Sequence, residues 1–479
     1  MKLFKFLLAF LVVVVALYGA SSWYTGREAQ SLIEHELAQA NEQVLKAVGP
    51  EAGVQEVQIR IRSYDRGIFT SQAEYEMQWR EEDGRVVSYV FTDNLQHGPF
   101  PLAALQQGHW APGLAFSEAR LQKTESTESW VNSLDGASPV VVRTFVGFGG
   151  TGVSNWIFRE ANFSEADGSK VVFSGGQVDI RFSDHFQSHV ASGGFDKLEM
   201  TDVYGSVIAL DAISLESENV LSQSGERTLD SVVKVERIGL IEPEMQDIVL
   251  SGTQVALQAT QADELLTGQI SYGVDTVEFG GAPLGSIVAQ VSADQLNMTA
   301  LTKLVQEYDA MQLEDAGTEE GLPPQLDDDQ ARRLRAGLFE FLGNQPALTL
   351  GPVVWTNSQG QARIQLDADF VEPDQALLDA PADQLLLAVL GRLHLDAEIE
   401  KPFFEELFIQ LSDEERQRAS AMARMVFDLY AGRLSRAGLA VYENNTLKMN
   451  ASYEEDTIRL NGEMVGLTEF LQRLFQGVL

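Results

Sequence analysis

Between Val57 and about residue 290 the apolar side chains recur at every second position, and a chain with that period can bury them only as β-strands carrying one apolar face. Val57, Ile59 and Ile61 alternate with Gln58, Arg60 and Arg62. After a turn at Arg66 and Gly67, Ala73, Tyr75, Met77 and Trp79 alternate with Glu74, Glu76, Gln78 and Arg80, and Asp83 with Gly84 supplies a hairpin turn before Val87, Tyr89 and Phe91. Val178, Ile180 and Phe182 continue the pattern, with Gly and Ser clusters as punctuation. The spacing predicts an antiparallel meander that grows into a β-rich domain over residues 51–291.

From Ser292 a helical period appears, with Leu301, Leu304, Val305 and Tyr308 on one face and Leu334, Leu338, Phe341 and Leu342 on another. These bound a helical segment at 292–345. Inside it, residues 312–331 (QLEDAGTEEGLPPQLDDDQA) hold seven acidic groups and no basic one around a Pro pair, the composition of an exposed loop. Residues 346–479 read as an α+β domain: Ile364 to Phe370, Leu393 to Ile399 and Leu447 to Tyr453 alternate as strands. Ser412 and Glu415 are spaced as a capping box for a helix with Met422, Val426, Leu429 and Tyr430 inward.

The N-terminus has a different character. Lys2 and Lys5 precede an uncharged run from Phe6 to Tyr24, 19 residues that as a helix span roughly 28 Å, close to the hydrocarbon thickness of a bilayer. A cleaved secretory signal is the rival reading, since the most apolar stretch, Leu7 to Leu17, is of signal-peptide length. Tyr18 is too large three positions before a cut at Ala20, and Trp23 and Tyr24 suit an interfacial belt, so residues 1–25 are read as an uncleaved transmembrane anchor. Lys2 and Lys5 then stay cytoplasmic and everything after Thr25 lies outside. Leu32, Ile33, Leu37, Val44, Leu45 and Val48 give residues 26–50 the pattern of a juxtamembrane helix. The expected fold class is α+β: an N-terminal transmembrane helix, then predominantly antiparallel sheets, with helices concentrated in the C-terminal part.

Composition removes several functions. The 70 acidic against 34 basic residues give a formal charge of −36, which repels phosphate backbones, so nucleic acid is excluded as a partner. The absence of cysteine removes disulfides, thiolate metal sites and Cys nucleophiles. GFGGTG at 147–152 matches the dinucleotide fingerprint by letter, but VSNWIF after it lacks the helix whose N-terminus the pyrophosphate needs. His185 and His189 lie four apart beside Asp184 without a third ligand at recognisable spacing, and the Asp327–Asp329 run lacks the alternation of a calcium loop. His394 falls on the polar side of its strand. No cofactor and no metal set is expected, and no catalytic residue stands out.

Three local matches occur in order. Trp23, Tyr24, Thr25 and Gly26 follow the anchor; Tyr64, Arg66, Gly67, Phe69 and Ser71 read Y-x-R-G-x-F-x-S; and His97, Gly98, Pro99 and Pro101 open HGPFPLAAL. Together they resemble the YdgA-like family of membrane-tethered envelope proteins, and Leu460, Asn461 and Gly462 extend a softer likeness to the C-terminus. The resemblance implies an inner-membrane protein facing the periplasm, a homodimer, and no established catalytic residue. The motif residues also have structural readings, Gly67 as a turn residue and Pro99 and Pro101 as terminators of the third strand, with His97 holding that turn by a hydrogen bond. The expected role is a non-enzymatic one in envelope interaction or maintenance, with an envelope protein or a lipid as partner. The alternative is a carrier or bridge for lipid or another apolar molecule. A periplasmic hydrolase would need His97 or another histidine to converge with carboxylates in a cleft.

Overall fold

A computed structural model describes residues 27, 30, 54–81, 84–165, 167–184, 186–314, 328–379, 388–412, 416–454 and 457–478. The apolar run 6–24, Trp23, Gly26, most of the juxtamembrane segment, His185 and the centre of the acidic tract lie outside these residues. Among the described residues no helix is long and apolar enough to cross a membrane.

The chain divides into two compact units, Met1–Val220 and Leu221–Leu479, a division that falls within the stretch 51–291. Among the described residues, eleven strands belong to the first: β1 (Val54–Arg66), β2 (Thr70–Glu81), β3 (Val86–His97), β4 (Gly113–Leu121), β5 (Val140–Gly147), β6 (Gly152–Phe158), β7 (Ala161–Ser164), β8 (Lys170–Phe173), β9 (Gly176–Ser183), β10 (Ser188–Thr201) and β11 (Val207–Leu221). Each of β2 to β6 pairs antiparallel with its predecessor, β6 then pairs with β9, β9 with β10 and β10 with β11. The alternating sets at Val57–Ile61, Ala73–Trp79 and Val87–Phe91 are therefore strands in register, Ile61 opposite Tyr75 and Tyr75 opposite Phe91. GFGGTG is the connection between β5 and β6, where Gly147 N–H donates to the Thr151 carbonyl at 2.7 Å; a strand follows it rather than a helix.

Two short helices in this unit carry no sequence period of their own: α1 (Leu102–Gln106) and α2 (Glu128–Ser133). Pro101 sits at the N-cap of α1, and Ala104, fully buried, packs with Phe116 and Phe145. Through α2, Trp130 joins Leu121, Val140 and Trp156 over the other face of the sheet.

The second unit is a longer meander: β12 (Arg227–Ile241), β13 (Ile248–Ala262), β14 (Leu265–Phe279), β15 (Ala282–Asn297), β16 (Ala347–Asn357), β17 (Gly360–Phe370), β18 (Leu390–Glu400), β19 (Val441–Glu443), β20 (Thr446–Glu454), β21 (Thr457–Leu460) and β22 (Glu463–Val465). Strands β12 to β18 pair in sequence order, β20 pairs with β18, β19 and β21, and β22 closes on β21. Its helices are α3 (Met298–Glu314), α4 (Asp328–Leu342), α5 (Lys401–Gln410), α6 (Arg416–Arg436) and α7 (Leu467–Val478). The acidic tract is helical at both described ends, Gln312–Glu314 closing α3 and Asp328 opening α4.

Two helix faces differ from the sequence expectation. On α3 the buried positions are Ala300 and Met311, while Val305 and Tyr308 are exposed. On α6 the inward residues are Ala419, Ala423, Phe427 and Ala431, and Met422, Leu429 and Tyr430 face solvent. The small side chains let α6 approach α5 closely, with Phe427 meeting Phe404 at 5.5 Å, a preference that hydrophobicity alone does not register.

Close approach also fixes a glycine. Gly285 in β15 has φ +102°, and a Cβ there would land on the Thr356 carbonyl of β16. Gly285→Ala is expected to destabilise the second unit by about 2 kcal/mol or more, read as a lower urea midpoint.

Candidate functional site

The signature residues of the first unit assemble on one face of β2 and β3. Asp93, Leu95 and His97 have the same parity along β3 as Tyr89 and Phe91, so all point to the same side. His97 ends the strand. Its Nε2 lies 2.7 Å from Ser71 Oγ, its N–H donates to the Phe69 carbonyl at 2.9 Å, and Gly113 N–H reaches back to the Pro99 carbonyl at 3.0 Å. Gly67 N–H donates to the Thr70 carbonyl at 2.8 Å, closing the β1–β2 turn. Tyr64 and Arg66 stand opposite Ala73 and Ser71, while Phe69 lies in the turn, half exposed. The structure thus brings Tyr64, Arg66, Gly67, Phe69, Ser71, His97, Gly98 and Pro99 to one end of the β1–β4 meander.

A histidine nitrogen within hydrogen-bond distance of a serine hydroxyl has the elements of a nucleophile and its base. Here Ser71 and His97 are each 2% exposed, so the hydroxyl is covered in this structure.

Beside them sits a group the sequence reading missed. Asp93 is buried, accepting from Tyr75 Oη at 3.2 Å and Ser117 Oγ at 2.7 Å. Burial, with a smaller push from Glu118, raises its carboxyl to about 6 against those two hydrogen bonds, and burial beside Asp93 also pushes the Tyr75 phenol up. The signal was legible: Asp93 falls at the parity of Phe91, on the face the alternation assigns to the interior. Because the folded carboxyl holds its proton to a higher pH than an ordinary aspartate, near 3.8, does, the native state binds more protons between the two values. The contribution of Asp93 to stability therefore falls as pH rises from about 4 to 6, by about 3 kcal/mol, and does not change further above. Asp93→Asn is expected to flatten that slope in urea titrations taken across the range.

The opposite face of the same strands is charged. Ser88 Oγ donates to Glu76 at 2.7 Å, and together with Arg60 and Arg62 holds this carboxylate below its usual range. Glu118 accepts from Arg120 and Arg143, the latter at 2.8 Å.

The second unit offers a surface of another kind. Leu257, Ile270, Val291, Leu350, Leu366, Leu395, Ala451 and Leu460 stand directly opposite one another from β13 to β21. A parallel row runs Ala259, Gly268, Ala293, Leu348, Ala368, Leu393, Tyr453, Ile458 and Val465. The reverse face of these strands reads Gln258, Gln269, Ser292, Thr349, Asp367, His394 and Ser452, so the apolar face is continuous and one-sided.

Its covering is uneven. At the C-terminal end Leu460 is 1% exposed, sealed with Leu439 and Val465 by Leu434 of α6 and Phe470 of α7. Phe403 of α5 stacks edge-on against Trp355, and Phe339 of α4 packs with Phe370. Between these fillings Tyr272, Val291, Leu348, Leu350 and Ile364 stay exposed, Leu350 at 44%. Among the described residues no cluster of three His, Asp or Glu side chains suits a metal ion, and His189 lies on β10 opposite Phe182.

Comparison with known proteins places this architecture. The family described as "Bacterial protein of unknown function (DUF945)" matches residues 1–468. The chain belongs to that family. Within the DUF945 proteins it is similar to Protein YdgA of Escherichia coli, 23% identical over 96% of this chain and 94% of that one. It is likewise 22% identical to the uncharacterized protein YihF of the same organism, over 97% of each chain. An uncharacterized protein of Haemophilus influenzae is 21% identical over 64% of this chain and 85% of its own. No solved structure matches. The DUF945 relationship covers both units, so the buried Asp93 site and the apolar face belong to one family-length chain.

Proposed function

We propose that this DUF945 protein is a single-span inner-membrane protein with a large periplasmic body, that it is not an enzyme, and that the body carries an apolar ligand, the acyl chains of a lipid, on the bare face of β12–β17. One observation carries the reading: the apolar rows run on past the last helix that covers them. At about 4.8 Å per strand, six strands span roughly 24 Å, more than the roughly 15 Å of one leaflet's acyl layer. An apolar face of that length is costly to leave in water, and a ligand of matching shape removes the cost. The sealed Ser71–His97 pair supports a structural rather than hydrolytic role for the signature motif. The anchor at residues 6–24 would hold the body beside the bilayer that supplies the ligand.

Two measurements test this. Lipid analysis of the full-length protein should find lipid that stays with the wild type and is lost from a variant with charges on the bare face; equal lipid in both overturns the carrier reading. Protease treatment of spheroplasts should degrade the body, and survival of the intact body inside sealed cells overturns the topology.

A further inference from the structure

Alternate connections of the first unit's meander fall at one end of its strands. Arg66 of β1 stands opposite Ser71, Ser71 opposite Leu95, Leu95 opposite Ser117, Ser117 opposite Thr144 and Thr144 opposite Ser154. The connections 67–69, 98–112 and 148–151 therefore lie side by side just beyond that row. Each offers large apolar side chains to solvent: Ile68, Leu102, Trp110 and Phe148 are all more than half exposed, Trp110 at 74%. In a chain of net charge −36, these three connections contain no Asp, Glu, Lys or Arg. At the other end of the same strands the β4–β5 connection carries Glu125, Glu128 and Asp135. The apolar end is thus also the end without charge. The N-terminal segment reaches it as well: Arg66, the last residue of β1, donates from Nη1 to Gln30 Oε1 at 3.2 Å. Gln30 follows Tyr24, where the apolar run 6–24 stops, by six positions. Six residues span at most roughly 20 Å of extended chain. That falls short of the roughly 40 Å that a twelve-residue strand such as β3 puts between the two ends.

We propose that this end of the first unit seats on the periplasmic surface of the membrane that the run 6–24 crosses, with Ile68, Leu102, Trp110 and Phe148 at the boundary between headgroups and acyl chains. An indole and large apolar side chains suit that depth, where one part of the ring is dry and the other wet. Four such groups on neighbouring turns are costly to leave in water, and the bilayer removes the cost. An end without carboxylates meets no repulsion from anionic headgroups. The acids at the far end lie a strand length away, and screening over about 8 Å hides them from the surface. A protein partner is the poorer occupant, since it would have to displace the bilayer from an end that a short tether holds beside it. The inference rests on the single-span topology proposed above and is independent of the ligand face of β12–β17.

The chain has no cysteine, so Trp110→Cys and Phe148→Cys each provide a single site for a fluorophore at an exposed position. The control is Tyr204→Cys, 84% exposed in the β10–β11 connection at the opposite end. Full-length protein is reconstituted into phosphatidylcholine vesicles with ordinary or brominated acyl chains, bromine quenching on contact. The expected result is quenching by brominated lipid at Trp110→Cys and Phe148→Cys, with the Tyr204→Cys label unaffected. Ile68→Glu with Leu102→Glu, both at exposed positions that tolerate the change, should lower quenching of the Phe148→Cys label roughly fivefold. Absence of quenching at both sites, or equal quenching at Tyr204→Cys, overturns the proposal. Protection from acrylamide without quenching by brominated lipid also overturns it, by assigning this end to a protein. Quenching that disappears when Val291→Asp and Leu350→Asp are added overturns it too, by assigning the bromine to carried lipid. Failure of the anchor is read separately, as release of the protein by alkaline wash; the same vesicles added to the released protein then repeat the test.

Discussion

Val291→Asp with Leu350→Asp is expected to strip bound lipid from the protein while leaving it folded. The two side chains face each other across β15 and β16 in the middle of the bare apolar face. Both are exposed, so replacing them removes little packing, and the cost to stability stays within about 1 kcal/mol. A ligand lying there would lose apolar contact with two branched side chains and meet two carboxylates instead, which lowers occupancy roughly tenfold or more. Lipid mass spectrometry of the purified variant beside wild type gives the result. The control is Gln254→Asp on the polar side of β13, opposite Lys234, where an acid has a cation to meet and lipid content should not change. Lipid retained by the double variant would mean that the face is not the binding surface.

Phe403→Ala is expected to have the largest effect on stability, about 3–5 kcal/mol, seen as a drop in urea midpoint. The ring is 2% exposed, 5.9 Å from Trp355 at an interplanar angle of 70°, and the residue's carbonyl accepts from Asn357 Nδ2 at 2.9 Å. Trp355 in turn donates to the Leu284 carbonyl at 2.8 Å, so one side chain supports the joint of β15, β16 and α5. Its removal leaves a cavity that backbone hydrogen bonds on both sides prevent from collapsing. Helix α5 carries Pro402 in its first turn, where a missing N–H is harmless, so the helix itself should survive.

Much of the sheet was legible because an alternating strand states both its identity and its facing: Ile59, Tyr75 and Phe91 lie where their parity puts them. The five- and six-residue helices α1 and α2 were not, since so short a segment never completes a second turn of the apolar period. Helix α6 was found but turned over, its alanine face being the one that packs. At the signature motif, strand termination at His97 could be read from Pro99 and Pro101. The partnership with Ser71, 26 residues away, depended on a register that local sequence does not state. The bare face could be anticipated as apolar but not as uncovered, because whether a helix lies over a strand is a property of the chain's path.

That path also bears on how the molecule is made. Within each unit β1 to β6 and β12 to β18 pair in sequence order, and hairpins such as β1–β2, β13–β14 and β16–β17 close short loops, which keeps those contacts local. A ribbon of this kind can add one strand at a time to a growing template as the polypeptide emerges N-terminus first, without waiting for distant segments to arrive.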